Sequence, residues 1–363
     1  MCRYSRWTKS FHVVPNYYTE PAAYAAAVAE VAKKVGARVL IPGHEDVVTL
    51  AAHADALPAG LGFAHAGYEK LRAANDKWEV TRICDRLGVP CAESFVPGSI
   101  EELRESAESL AYPAVIKTRI GNAGKGVAIV ADKRELVARY AGIVDRFSIP
   151  PGKWPMVQEY LGTDICGVCM IYDKGRLVAS SAETYLRSKE ANKFSTTTWR
   201  VSTYDPVSVE NCRKVADRLE WHGVIHFDMM RDPKTGVAKI TEINPRLWGT
   251  IMIAIAAGMD FPYMLYELAL TGKITDPPRS YREGVYSRWV LGELIGVLNL
   301  AKRRAPVSEK LRELREIVRA PFKGTTDDLR LSDPLPFLME MYDYFRRYRE
   351  TRSSNPAEEG MVG

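Results

Sequence analysis

Apolar and polar positions along this chain predict a fixed succession of elements. A short apolar run at 11–15 precedes an alanine-rich stretch, 21–35, whose composition predicts a helix that Gly36 is placed to stop. The continuous apolar run 39–42 reads as a buried parallel strand. Helices fit 45–56 and 74–87, and Gly88-Val89-Pro90 closes this segment. Next come a helix at 100–110, a strand at 114–117, a loop carrying three glycines, a strand at 127–130 and a helix at 133–144. After a Pro/Gly break at 149–152, residues 156–181 alternate as two or three antiparallel strands with a hairpin turn at Asp173-Lys174-Gly175. A helix at 208–220 precedes a strand pair within 224–243, and 247–272 reads as helical. From Arg282 the pattern is helical and amphipathic, and the stretch after Thr351 has the composition of a disordered end. The fold class expected is α/β with α+β elements.

Composition narrows the function classes. The 363 residues suffice for two or three packed domains. Lys and Arg number 50 against 45 Asp and Glu, a net charge of +5 without long basic runs, which argues against a nucleic-acid partner. The short run Arg346-Arg347-Tyr348-Arg349 reads as a solvated face. No stretch approaches the roughly 18 consecutive apolar residues of a membrane span, so no membrane partner is expected. The opening ten residues lack the apolar centre of a signal peptide, so the expected location is cytoplasmic, with its six cysteines reduced. Cys166 and Cys169 form a CxxC, but inside a strand an offset of three sends the two thiols to opposite faces. The six histidines form no cluster at metal-ligand spacing.

The strongest chemical signal lies between His226 and Arg246. Asp232-Pro233-Lys234-Thr235-Gly236 is a turn by composition, since Pro fixes φ and Gly admits positive φ. A hairpin centred on Thr235 sets Asp228 directly opposite Glu242, and Asn244 shares the face of Glu242. Opposed residues in an antiparallel pair have Cβ atoms about 5 Å apart. Two carboxylates so placed repel unless a cation lies between them. Together with an amide oxygen they make a hard oxygen set suited to Mg²⁺ completed by water and phosphate.

Lys117 ends the apolar run Pro113-Ala114-Val115-Ile116, so it must reach solvent or meet an anion. The loop that follows, Gly121 to Gly126 with Gly124 inside it, offers backbone N–H groups able to close over a polyphosphate, and taken alone reads equally as a plain hairpin. It lacks the GxxxxGK[ST] pattern and leads into a strand, which excludes a Walker loop and a dinucleotide fingerprint. Lys77 alone reads as a solvated helix lysine. The segment Gln158-Glu159-Tyr160-Leu161 and Asp164 could offer an edge backbone to adenine and a carboxylate to ribose.

In this order, Asp76-Lys77, the Val115-Ile116-Lys117 strand, the glycine loop, the acidic segment at Glu159 and Glu242-Ile243-Asn244-Pro245-Arg246 resemble the ATP-grasp superfamily over about residues 60–275. Asn244-Pro245-Arg246-Leu247-Trp248-Gly249-Thr250, Ala256-Ala257-Gly258-Met259-Asp260-Phe261-Pro262 and the later Leu331-Ser332-Asp333-Pro334-Leu335-Pro336 are similar to the carboxylate–amine ligase branch related to carbamoyl-phosphate synthetase and biotin carboxylase. The resemblance implies an ATP-grasp fold arranged as a shortened N-terminal α/β subdomain (1–92), an ATP-grasp domain (93–281), a helical extension (282–352) and a disordered tail (353–363). The first subdomain is expected to be short because no apolar strand precedes Phe11. Gln158 stands where an acidic residue is common and Thr118 where proline is common, and neither change removes a charge from the phosphate or metal set.

The resemblance also implies roles. Lys77 and Lys117 hold the phosphates, and Gly121, Gly124 and Gly126 belong to the lid. Gln158, Glu159, Tyr160 and Leu161 form the adenine hinge, with Asp164 on ribose. Asp228, Glu242 and Asn244 hold one or two Mg²⁺, with Mn²⁺ as an alternative, while Arg246 and Lys117 are the catalytic cations. The implied reaction is ATP-dependent joining of a small carboxylate to an amine, an amino acid or small peptide among them, through an acyl-phosphate, in a chain that can pair as a homodimer; the alternatives are carboxylation through carboxyphosphate, phosphorylation of a non-carboxylate acceptor, and ATP binding without catalysis. Tyr185, Arg187, Lys193 and Arg200 are candidates for the substrate wall.

Overall fold

The alanine run folds into helix α1 (Pro21–Val35), with proline in its first turn and Gly36 closing it at φ 62°. The structure is a computed structural model, and it describes residues 2–121, 126–189, 196–302, 306–319 and 324–351. Helix α2 (Asp46–Ala52) is shorter than the expected 45–56, which finishes in a turn of 3₁₀-helix at Ala54–Ala56. The expected helix at 74–87 is two helices, α3 (Tyr68–Asn75) and α4 (Lys77–Leu87). Asp76 divides them because its carboxylate accepts from the backbone N–H groups of Trp78 and Glu79, capping α4. The run 39–42 does not form the expected strand. It makes one parallel bridge, Val39 to Gly62, and Pro42 has no N–H with which to extend a ladder.

A four-stranded antiparallel sheet follows, built from β1 (Ser94–Phe95), β2 (Ala114–Lys117), β3 (Val127–Val130) and β4 (Met156–Glu159) in the order β1-β4-β2-β3. Helices α5 (Ile100–Ser106) and α6 (Lys133–Arg146) pack on it around Leu103, Ile116, Leu136, Tyr140 and Val157. Lys117 therefore projects from the end of an otherwise apolar strand.

The second sheet has seven strands: β5 (Ile165–Asp173), β6 (Arg176–Ser188), β7 (Thr197–Thr203), β8 (Gly223–Arg231), β9 (Ala238–Asn244), β10 (Tyr286–Arg288) and β11 (Thr325–Thr326). Their order is β11-β10-β7-β6-β5-β8-β9. One face carries Val168, Met170, Phe227 and Met229 against α3, α4 and α7 (Pro206–Arg218). The other carries Cys169 and Ile171 against Trp248, α8 (Ile251–Ala257) and α9 (Phe261–Thr271). Cys166 and Cys169 lie on opposite faces, each buried in a different cluster. The helical run read at 247–272 breaks at Gly258, φ 106°, and Asp260 caps the next helix, so α8 and α9 meet at 90°.

The C-terminal part supplies α10 (Val290–Lys302), α11 (Val307–Arg319) and α12 (Leu335–Thr351), and in addition the two short strands that extend the large sheet. Asp327, beside β11, receives hydrogen bonds from Arg200 of β7 and Ser287 of β10, tying this part to the sheet interior. Among the described residues no single helix is long and apolar enough to cross a membrane.

Candidate active site

Strands β8 and β9 carry the acidic groups, and a β-bulge decides how they meet. Near the turn Met229 pairs with Ile240 and Arg231 with Ala238; past the bulge Asp228 pairs with Glu242 and His226 with Asn244. The turn register alone would oppose Asp228 to Thr241. The extra residue Thr241, whose hydroxyl donates to the Asp228 carbonyl at 3.1 Å, moves Glu242 and Asn244 onto the face of Asp228. Asp228 Oδ1 accepts from the Tyr185 hydroxyl at 3.1 Å and Oδ2 from Asn244 Nδ2 at 2.7 Å. The side chains of Asp228 and Glu242 keep 29% and 25% of their surface, enough for a ligand to reach them.

These groups open onto a cavity of about 470 Å³ between the two sheets. Lys117 and Val127 enter it from the small sheet, Tyr185, Asp228, Glu242 and Asn244 from the large one, and Gly43 and His44 from the N-terminal segment. Lys117 is buried, and desolvation pushes its pKa down to about 8, with Lys77 adding to the fall while Glu242 and Asp228 oppose it. Lys77, the first residue of α4, is 5% exposed. Its Nζ donates to the Gly121 carbonyl at 2.7 Å and lies 3.4 Å from Glu242 Oε1. Two lysines thus face two carboxylates across the cleft.

Arg246 lines the same cavity, and its Nε donates to Glu45 Oε1 at 2.8 Å while Nη1 donates to the Leu247 carbonyl at 2.9 Å. Gly121 and Gly126 stand at the two stems of the glycine loop, where Thr118 N–H donates to the Gly126 carbonyl at 3.1 Å. Gly124 lies outside the described residues, as does Lys193. The segment from Gln158 to Asp164 links the two sheets and does not line the 470 Å³ cavity. Gln158 turns its amide to Ser94 Oγ at 3.0 Å. Glu159 accepts from Lys239 Nζ at 2.7 Å and from the backbone N–H of Glu93 at 2.8 Å, so its carboxylate crosslinks β4 to β9. Tyr160 is half-buried, Leu161 packs with Ala92 and Met230, and Asp164 is exposed. Of the wall candidates, Tyr185 reaches the cavity, while Arg187 and Arg200 pair with Glu293 and Asp327.

Sequence reasoning did not single out Glu45. No local pattern marks Glu45, which reaches Arg246 only through the fold.

Two family descriptions match the chain: "ATP-grasp in the biosynthetic pathway with Ter operon" over residues 153–290 and "Carbamoyl-phosphate synthase L chain, ATP binding domain" over 76–146. This chain belongs to the ATP-grasp superfamily. Among ATP-grasp proteins, the carbamoyl phosphate synthase large chain of Methanothermobacter thermautotrophicus is 23% identical over 233 residues, which is 60% of this chain and 21% of that one. The first curated relatives are matched over only 6–25% of their own length. The biotin carboxylase domain of Hydrogenobacter thermophilus 2-oxoglutarate carboxylase, solved with MgADP, ADP and bicarbonate, shares the fold with a TM-score of 0.62 at 18% identity, over 76% of this chain and 62% of that one. An L-amino acid ligase from Bacillus licheniformis gives 0.53 at 16% identity, over 70% and 61%.

Proposed function

We propose that this ATP-grasp chain is an ATP-dependent carboxylate–amine ligase that phosphorylates a small carboxylate and joins the acyl group to an amine. The observation that carries the reading is Asp228 set opposite Glu242, with Asn244 on the same face and Lys77 and Lys117 across the cleft. Facing carboxylates and an amide form an all-oxygen donor set, which fits one or two Mg²⁺, or Mn²⁺ in their place. When bound, the metal neutralises and orients the nucleotide phosphates during transfer.

The chain's own residues do the rest. Lys77 and Lys117 bind the phosphate oxygens, and their charge lowers the cost of bringing a polyanion against an anionic carboxylate. The backbone at Glu159, Tyr160 and Leu161 meets adenine, and Asp164 lies within the linking segment for ribose. Gly121, Gly124 and Gly126 close the loop over the phosphates. Arg246, held by Glu45, stabilises the charge on the transferred phosphoryl group. A free carboxylate is a poor acyl donor because oxide would have to leave. As an acyl-phosphate it loses phosphate instead, and the amine attacks its carbonyl carbon, yielding an amide, ADP and phosphate. An amino acid or small peptide suits a cavity of about 470 Å³.

The test is an ADP-release screen over pairs of amino acids and small acids, followed by mass spectrometry of the product. Steady turnover that needs an amine and gives an amide supports the ligase. Steady turnover with bicarbonate and no amine would place the chemistry with carboxylation. ATP binding without ADP release for any acceptor would make the chain a nucleotide-binding module.

A further inference from the structure

Beneath the Asp228–Asn244 pair lies a second layer of polar side chains that the proposed reaction does not use. His226 of β8 and Glu183 of β6 are each 2% exposed. His226 stacks on Trp248 with ring centroids 5.1 Å apart and 12° between planes. Its Nε2 lies 3.5 Å from Glu183 Oε1 and, among the described residues, has no hydrogen-bond partner. Its Nδ1 lies 3.4 Å from Asn244 Nδ2 and 3.9 Å from Asp228 Oδ2. Thr250 donates its hydroxyl to Glu183 Oε1 from the other side. Strand β5 makes room for the pair at Gly167, where a Cβ would come within 2.8 Å of His226 Nε2 and 3.3 Å of Glu183 Oε1.

We propose that Glu183 and His226 are positioning residues that fix the side-chain amide of Asn244, so that Asn244 turns its oxygen to the cation shared with Asp228 and Glu242. The proposal rests on the metal role given to these residues above. The amide orientation follows from its neighbours. The Asn244 atom 2.7 Å from a carboxylate oxygen must be the NH₂ group, because two oxygens at that distance would repel. One N–H goes to Asp228 and the second faces His226 Nδ1, leaving Oδ1 as the group free to ligate. Nδ1 can accept only when the ring proton sits on Nε2, and the Glu183 carboxylate facing Nε2 selects that tautomer. A buried carboxylate with one oxygen lacking a hydrogen-bond partner is a costly way to fill this space, and for packing alone an apolar pair would serve better.

The experiment compares full-length wild type with His226→Phe, which keeps an aromatic ring against Trp248, Glu183→Leu, and the conservative Glu183→Gln, whose amide oxygen can still face Nε2. Electron paramagnetic resonance of free Mn²⁺ measures ion affinity at saturating ATP, calorimetry in EDTA measures ATP affinity without metal, and thermal melts report folding. The expected result is an Mn²⁺ affinity about 10- to 100-fold weaker in His226→Phe and Glu183→Leu, and within about threefold of wild type in Glu183→Gln, with metal-free ATP affinity unchanged in all three. Wild-type Mn²⁺ affinity in His226→Phe and Glu183→Leu would overturn the positioning role while leaving the ligase reading intact. Losses of metal and ATP affinity that track lost thermal stability would overturn it as well. Failure of wild type to bind Mn²⁺ with ATP would instead sink the ligase reading first. Cys169 Sγ, Glu183 and His226 have potential ligand atoms within 4.8 Å of one another, so stoichiometric zinc in the purified protein, lost in Cys169→Ser, would also overturn the proposal by making this layer a metal site.

Discussion

Arg246 donates from Nε to Glu45 Oε1 at 2.8 Å across a sequence separation of 201 residues. The two side chains keep only 11% and 16% of their surface, so the pair is shielded from solvent and holds the guanidinium in one orientation at the cavity wall. Glu45→Ala is expected to lower stability by about 1.5–3 kcal/mol, measured by urea unfolding, because a charged hydrogen bond is lost and a cation is left half-buried. Turnover should fall about 10- to 100-fold with little change in KM for ATP, since in the proposed reaction the guanidinium would no longer be held against the transferred phosphoryl group. Glu45→Gln, which retains an acceptor, should recover most of both. Equal kcat in wild type and Glu45→Ala would remove Arg246's anchor from the mechanism.

Asp228 and Glu242 repel each other where they face across the hairpin, and Lys77 at 3.4 Å relieves part of that for Glu242. Asp228→Ala and Glu242→Ala should abolish ADP formation and leave the circular dichroism of the protein unchanged. A thermal melt separates ligand loss from misfolding. Magnesium and ATP at about 100 times the dissociation constant should stabilise wild type by about 2.7 kcal/mol and each variant by less than half of that. Full turnover in either variant would end the metal assignment.

The central sheets were legible in the sequence because their strands and turns are local. The apolar run at Ala114–Lys117 and the composition of the turn after Asp232 carry their own signals. The opposition of Asp228 and Glu242 was also readable, though it depends on the bulge at Thr241, which leaves no mark in composition. Strand β7 was hidden because its buried Arg200 looks like a surface residue until Asp327, 127 positions away, neutralises it. The run at Val39 stops at a single bridge to Gly62 for a different reason, that apolar character does not extend a ladder and Pro42 has no N–H to continue it. Lys77 looked solvated because helix periodicity says nothing about a carboxylate arriving from β9.

Lys117 gives the site a pH dependence. Burial lowers its pKa to about 8 in the ligand-free protein, and a bound polyphosphate favours the charged form. ATP affinity should therefore be constant below about pH 8 and fall above it, by up to about tenfold per pH unit. Saturating ATP holds the proton on Lys117, so kcat should stay level through the same range while KM for ATP rises. Lys117→Arg keeps its charge at every accessible pH and should lose the inflection. The check is a KM–pH profile of both proteins from pH 6 to 9.5 (approximate range).

Gly126 closes the stem of the glycine loop at φ 66°, and a Cβ there would lie 2.5 Å from Thr118 Cγ2 and 2.6 Å from Thr118 Oγ1. Both the backbone conformation and the contact exclude a side chain. Gly126→Ala should cost about 1–2 kcal/mol from the left-handed backbone alone, plus whatever shift Thr118 must make. Because Thr118 N–H also donates to the Gly126 carbonyl, that shift moves the residue next to Lys117, and KM for ATP should rise several-fold. Thr118→Gly in the same chain removes the collision but leaves the backbone strain. The double variant should thus regain ATP affinity while keeping the stability loss. If both defects persist together in the double variant, the Thr118 contact is not what couples this turn to nucleotide binding.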